Sequence, residues 1–108
     1  MDKLYVVVRA DLHPPQQAVQ AIHAMRQWSH EFPAEDKAWF EETNTLALLA
    51  VANESDLGVL VERASQRGIP VACFHEPDRS NELTAIVLGP QGKRLASHLG
   101  LASLLKEP

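Results

Sequence analysis

Four polar residues close together near the start of the chain give the first chemical signal. Gln16, Gln20, His23 and Gln27 are spaced four, three and four apart, which in a helix places them on one face. An imidazole in such a row can take or give a proton once a partner orients it. Candidate partners come later: Glu76-Pro77-Asp78-Arg79-Ser80-Asn81-Glu82-Leu83-Thr84 gathers carboxylates, hydroxyls and a guanidinium in a polar stretch that leads into an apolar run. A carboxylate beside His23 would orient the ring or raise its basicity. Taken alone, the row is also what a plain solvated helix face looks like, and Pro77-Asp78 is ordinary turn chemistry. The row becomes a site only where it faces a pocket.

Other chemistries lack their residues. No G-x-G-x-x-G follows the first apolar run, and Gly89-Pro90-Gln91-Gly92-Lys93-Arg94 lacks the spacing and final hydroxyl of a P-loop. No G-x-S-x-G elbow is present, which disfavours a serine hydrolase of the α/β type. The five histidines, His13, His23, His30, His75 and His98, form no H-E-x-x-H pair, and the lone Cys73 has no second thiol to share a zinc. No metal is expected. Cys73, next to Phe74 in an apolar stretch, is expected to be buried and inert.

The elements that must position these residues follow from the apolar pattern. Leu4 to Val8 reads LYVVV and Thr45 to Val51 reads TLALLAV, nearly continuous apolar runs of the kind covered on both faces of a sheet. Helices must then lie on both sides, giving three layers. Ile69 to Phe74 supplies a third strand, with Pro70 at its start or on an edge, and Leu83 to Leu88 a fourth that stops at Gly89-Pro90. Pro14 and Pro15 open a first helix whose Ala18, Ala21, Ile22, Met25 and Trp28 recur at three and four residues and should pack on the sheet. A short surface helix over Ala34 to Glu42 carries Trp39 and Phe40. Asn53 or Ser55 caps a third helix that buries Leu57, Leu60, Val61 and Ala64 and ends at Gly68, and Lys93 to Leu99 make a short last helix. The first helix starts just after the first strand. Its N-terminal end and the Arg9-Ala10-Asp11 corner therefore lie at the carboxyl edge of that strand, where open α/β sheets bind ligands and helix N-termini attract anions.

Composition bounds the rest. A chain of 108 residues with 45% hydrophobic and 22% charged residues is expected to form one domain over residues 1–108. No apolar run nears the roughly 20 residues of a membrane span, and the N-terminal residues lead straight into a strand, so a soluble, cytosolic protein is expected. The net charge of −4 argues against an extended nucleic-acid footprint. The balance still allows a local patch in which Arg9, Arg26, Lys93 and Arg94 gather on one rim while the acids of the 31–42 and 53–63 stretches lie elsewhere, although net charge alone does not place them.

Four blocks then carry a resemblance: KLYVVVRADL, QQAVQAIHA, GIPVACFHEPDRSNELTAIVLGP and the closing HLGLASLL. In order and spacing they resemble the type 2 peptidyl-tRNA hydrolases, the archaeal and eukaryotic type. That family has an Arg-x-Asp-Leu corner after its first strand, matched by Arg9, Asp11 and Leu12. Its helix reads Lys-x-Ala-Ala-Gln-x-x-His-Ala, matched by Gln20, His23 and Ala24, and its strand threonine and closing Gly-Pro are matched by Thr84 and Gly89-Pro90. Gln16 stands where the family has lysine. Glu76, or Asp78 with the gap moved, stands for the loop aspartate and Ser80 for the loop threonine, and the glycine after that aspartate is missing.

The resemblance implies an α/β/α sandwich with a four-stranded mixed sheet, a homodimer, no cofactor, and hydrolysis of the ester between a peptide and the 3′ ribose of tRNA. It implies His23 as base or orienting group, Glu76 or Asp78 as its partner, and Ser80 and Thr84 as hydrogen-bond donors. Arg9, Asp11, Gln16 and Gln20 would line the substrate end. The alternative, favoured by Gln16 and the acidic charge, is a non-catalytic binding or regulatory module of the same fold.

Overall fold

The structure is a computed structural model that describes residues 2–103. Met1 and the two leucines that end the closing HLGLASLL block lie outside them. The first strand, β1 (Lys3–Arg9), is buried from Leu4 onward, as a continuous run of Leu, Tyr and Val requires. It runs parallel to β2 (Thr45–Val51), which has the bounds expected from TLALLAV. On its other side β1 pairs antiparallel with β4 (Glu82–Leu88), and β4 pairs antiparallel with β3 (Val71–Glu76). Helices α1 (Pro14–Glu31) and α2 (Pro33–Glu42) cover one face, and α3 (Glu54–Gln66) and α4 (Lys93–Ala96) cover the other. The result is the expected three-layer α/β/α arrangement around a mixed sheet.

The sheet has five strands, not four, in the order β3-β4-β1-β2-β5. The fifth, β5 (Gly100–Leu101), pairs antiparallel with β2 through Leu49 and Ala50. Two exposed residues carry no periodicity, so only their partner strand defines them. The last helix is shorter than expected, ending at Ala96, because the chain must turn back to reach β2. At β3 the strand starts two residues later than Ile69. Pro70 has no N–H for the ladder, and its carbonyl instead accepts from Gly89 at 2.9 Å. The strand also runs two residues past Phe74, to Glu76.

Three burial patterns depart from the sequence expectation. In β2 only Leu49 is buried, and Leu46 is 47% exposed, since a two-residue edge strand and α2 cover little of it. The inward face of α1 is Gln17, Gln20, Ala24 and Trp28, while Ile22 of the expected apolar stripe is 65% exposed. The helix is thus turned so that two glutamines face the sheet and part of its apolar stripe faces out. Cys73 is half-buried rather than buried, and burial still pushes its thiol pKa up.

On the opposite face the cap, the stop and the Leu57, Leu60 and Ala64 positions of α3 are as expected, while Val61 is only partly buried. The Asn53 side chain accepts from the Asp56 backbone N–H at 3.0 Å and caps α3, a contact worth about 1 kcal/mol. Gly68 stops that helix with φ +66, a left-handed conformation that glycine adopts without strain. Leu57, Leu60 and Ala64 then pack on Tyr5, Val7 and Ile86. Truncating the fully buried Leu57 to alanine would cost about 3 kcal/mol.

Candidate active site

Strand β4 contains one more residue than its partner. Phe74 pairs with Ala85 but His75 pairs with Leu83, so Thr84 is the extra residue of a β-bulge. Ala85 and Val87 point to the α1 face and Ile86 and Leu88 to the α3 face, and regular alternation would send Thr84 to the α3 face with Ile86. The bulge instead brings its hydroxyl to α1, a re-aiming that bulges commonly perform beside functional sites.

There Thr84 meets Gln20. The Thr84 hydroxyl donates to Gln20 Oε1 at 2.6 Å, and Gln20 Nε2 donates to Glu76 Oε1 at 3.0 Å. A longer contact of 3.5 Å runs from Nε2 to Gln16 Oε1. A carboxylate only accepts, so Glu76 fixes the amide with its nitrogen toward β3 and its oxygen toward Thr84. Thr84 Oγ also lies 3.4 Å from the Phe74 carbonyl, but one proton serves one short bond, and the Gln20 contact is shorter. Gln20 and Thr84 are both fully buried, so neither could lose its partner cheaply: an unpaired buried polar group costs about 1–3 kcal/mol. Glu76 is partly exposed, and Gln16 lies at the surface.

His23 is one turn further along α1, exposed, and its ring stacks on Phe74 with centroids 4.4 Å apart and planes 8° from parallel. Among the described residues it has no hydrogen bond to Glu76 or Asp78. Of the two carboxylates weighed as its partner, Glu76 is the one that reaches α1, through Gln20. Asp78 lies in a short 3-10 turn (Pro77–Arg79) and is exposed. Ser80 and Asn81 close the β3–β4 hairpin with φ 56 and 61, and the Asn81 N–H donates to the Glu76 carbonyl at 2.9 Å. Consecutive left-handed residues fit a tight hairpin, so Ser80 and Asn81 do here, at some strain, what a glycine does without it. Ser80 is exposed on that turn.

Arg9 and Asp11 belong to a separate network. The buried Arg9 guanidinium grips Asp11 with two bonds, of 2.9 and 3.0 Å, and also donates to Glu82 Oε1 at 2.7 Å and to the Leu83 carbonyl at 3.2 Å. Its hydrogen bond to Asp11 raises the Arg9 pKa. The same bond holds the Asp11 carboxyl below its ordinary range, and Arg9 likewise lowers Glu82. Arg79 adds a 3.5 Å contact to Glu82. The sequence reading missed Gln17, which is buried and donates from Nε2 to the Leu12 carbonyl at 2.7 Å. It ties the Arg9 to Leu12 corner to α1, and only its neighbour Gln16 lay on the polar row. Gln17 Oε1 has no partner among the described residues.

Among the described residues, no three His, Cys, Asp or Glu side chains gather to hold a metal ion, and no helix is long and apolar enough to cross a membrane. Hydrogen bonds join Gln20, Glu76 and Thr84 in an amide-centred cluster, and His23 and Gln16 lie at the surface beside it.

No curated protein matches the sequence. A solved structure of a protein of unknown function from Agrobacterium tumefaciens is similar in fold, with a TM-score of 0.66 and 13% identity over 94% of this chain and 97% of that one. The model of the family described as peptidyl-tRNA hydrolase PTH2 matches residues 2–100. That span includes the Arg9 corner, the Gln20–His23 helix, the bulged threonine strand and the Gly89-Pro90 stop, and on it the chain belongs to the peptidyl-tRNA hydrolase PTH2 family.

Proposed function

We propose that this chain cleaves the ester between a peptide and the 3′ ribose of tRNA, with Glu76 as the group that takes a proton from water. The observation that carries this reading is the Thr84–Gln20–Glu76 chain of hydrogen bonds, 2.6 and 3.0 Å long, in a member of a hydrolase family. Ester hydrolysis needs an activated water, a donor toward the developing oxyanion and a proton for the leaving ribose oxygen. Gln20 engages Glu76 through Oε1, so Oε2 is the oxygen available to water. Thr84 and Gln20 are fully buried and act as positioning residues that hold the Glu76 carboxylate against α1. His23, exposed and held flat by Phe74, is the rim group that supplies or relays the second proton. Ser80 and Gln16 are the surface groups left to meet substrate.

The binding-module reading has one observation in its favour. Gln16 offers an amide where the resemblance expects a lysine, and an amide cannot stabilise developing negative charge as a cation does. Release of free tRNA from peptidyl-tRNA separates the two readings. Wild type should turn over, Glu76→Gln should lose at least about a hundredfold, and Gln16→Lys should gain up to roughly a hundredfold, the value of one oxyanion-stabilising contact. If wild type and Gln16→Lys both match buffer, the chain is a binding module. Activity in His23→Ala equal to wild type would remove His23 from the mechanism.

The homodimer implied by the resemblance belongs to the same proposal. Ile22 and Leu46 are exposed on either side of an apolar groove of about 310 Å³ floored by Val6, Ala21, Met25 and Leu48. A contiguous apolar strip of this kind marks an interface, and a second copy of the chain is the occupant proposed. Sedimentation should give a dimer for wild type and a monomer for Ile22→Glu.

A further inference from the structure

The sequence allowed Arg9, Arg26, Lys93 and Arg94 to gather on one rim without placing them, and the fold groups its cations differently. Arg9 is closed off by Asp11 and Glu82, and Arg79 is paired with Glu82. Arg94 instead meets Arg63 and Arg67, one turn apart on and just past the end of α3, together with His98 and Gln91, around a cleft of about 650 Å³. All three arginines are exposed, and none has a carboxylate partner among the described residues. Arg63 and His98 also line a second cleft of about 360 Å³ that continues along α3 to Val51 and Gly100. The two clefts therefore form one trough between α3 and the segment joining α4 to β5. Its far end reaches the β1 corner, where Ala10 N–H donates to the Val51 carbonyl at 2.8 Å.

We infer that this trough, on the α3 face, holds the phosphodiester backbone of the RNA and leads it toward the end of the sheet where β1 and β2 finish, the end at which the candidate active site lies on the opposite face. The inference rests on the tRNA reading above and adds the surface on which the RNA lies. A chain of net charge −4 repels RNA at long range, so binding needs a local excess of cations. The catalytic edge does not provide one: it carries Asp11, Glu76, Asp78 and Glu82, and the Arg9 charge there is already matched. The unpaired guanidiniums of the trough do provide one, and their planar forks suit phosphate oxygens better than an ammonium does. Asp56 at the far end of the trough is the acidic group the RNA would pass, which places the grip at Arg63, Arg67 and Arg94.

The test is fluorescence anisotropy of labelled deacylated tRNA titrated with the whole protein over a range of salt concentrations. Arg63→Gln/Arg67→Gln/Arg94→Gln should weaken binding more than tenfold and flatten the slope of log affinity against log salt by about two, since each lost phosphate contact removes roughly 0.7–0.9. Lys37→Gln, an exposed cation on α2, should leave affinity and slope unchanged, and thermal melts would verify that the triple variant folds. Wild-type affinity and slope in the triple variant would overturn the trough. So would binding to vesicles of 30% phosphatidylserine in phosphatidylcholine that is lost in the triple variant while tRNA binding is not. Turnover by wild type of a minimal ester, an N-acylaminoacyl-adenosine without further phosphates, tests the hydrolase reading by itself. Its failure beside arginine-dependent tRNA binding leaves the trough standing without the enzyme.

Discussion

Two buried polar networks sit at the same end of the sheet, and they differ in what holds them. The Arg9 network is ionic and closed: one guanidinium meets Asp11, Glu82 and the Leu83 carbonyl, so its hydrogen-bonding capacity is largely used within the fold. The Gln20 network is held by a neutral amide, which accepts from Thr84 and donates to one oxygen of Glu76. Full ion pairing turns a charged residue into a clamp between β1 and β4. A neutral hub instead holds the Glu76 carboxylate through one hydrogen bond and no ion pair. The lesson is that a charged residue near a site is not thereby part of its chemistry.

Breaking the neutral hub should have the larger effect. Gln20→Leu strands the fully buried Thr84 hydroxyl and releases Glu76. It should cost about 2–3 kcal/mol in denaturant unfolding and lower turnover along with it. Adding Thr84→Val should restore part of that stability, because both buried polar groups are then gone. If the double variant is no more stable than Gln20→Leu, the bond between them is not what the hub contributes.

Breaking the ionic clamp should cost less. Arg9→Met keeps the buried stem but removes the guanidinium, and its two carboxylates, with side chains 42% and 36% exposed, can turn to water. We expect a loss of about 1–2 kcal/mol and little change in kcat. A large fall in kcat with stability retained would return Arg9 to the substrate site.

Acid should sharpen the same contrast. Asp11 and Glu82 have folded pKa values below their unfolded ones. Their contribution is thus fully present above about pH 4, the ordinary carboxylate range, and is lost as pH falls below that through the depressed folded values. Wild-type stability should therefore fall more steeply below about pH 4 than that of Arg9→Met. Parallel curves would mean that the pair does not couple to folding.

The smallest effect is expected on the hairpin that carries Glu76 into place. Ser80 has φ 56, so Ser80→Gly should raise stability by about 0.5 kcal/mol, the relief of left-handed strain less the entropy glycine loses. A loss instead would show that the serine side chain supports the turn.

Much of the fold was legible because its signals are local. The β1 and β2 runs, Pro14-Pro15 at the start of α1, Asn53 as cap and Gly68 as stop are each set by a few adjacent residues. Of the site, the sequence supplied Gln20, Glu76 and Thr84, since the polar row, the carboxylate-rich stretch and the resemblance each bring out residues by type and spacing. It could not say how they meet, because alternation along β4 puts Thr84 on the wrong face and periodicity along α1 puts Ile22 inward.

What the sequence by itself determined is therefore the set of elements and the residues available for chemistry. Which carboxylate faces α1, which face Thr84 takes, and whether Arg9 is free were decided by the tertiary structure. The bulge that turns Thr84 depends on pairing between β3 and β4, and β5 exists only against β2. The arginine trough likewise assembles residues of α3 with Arg94 of α4 and with His98. In each case the deciding contact joins residues far apart in the chain, and a local pattern holds no information about a partner that folding alone brings near.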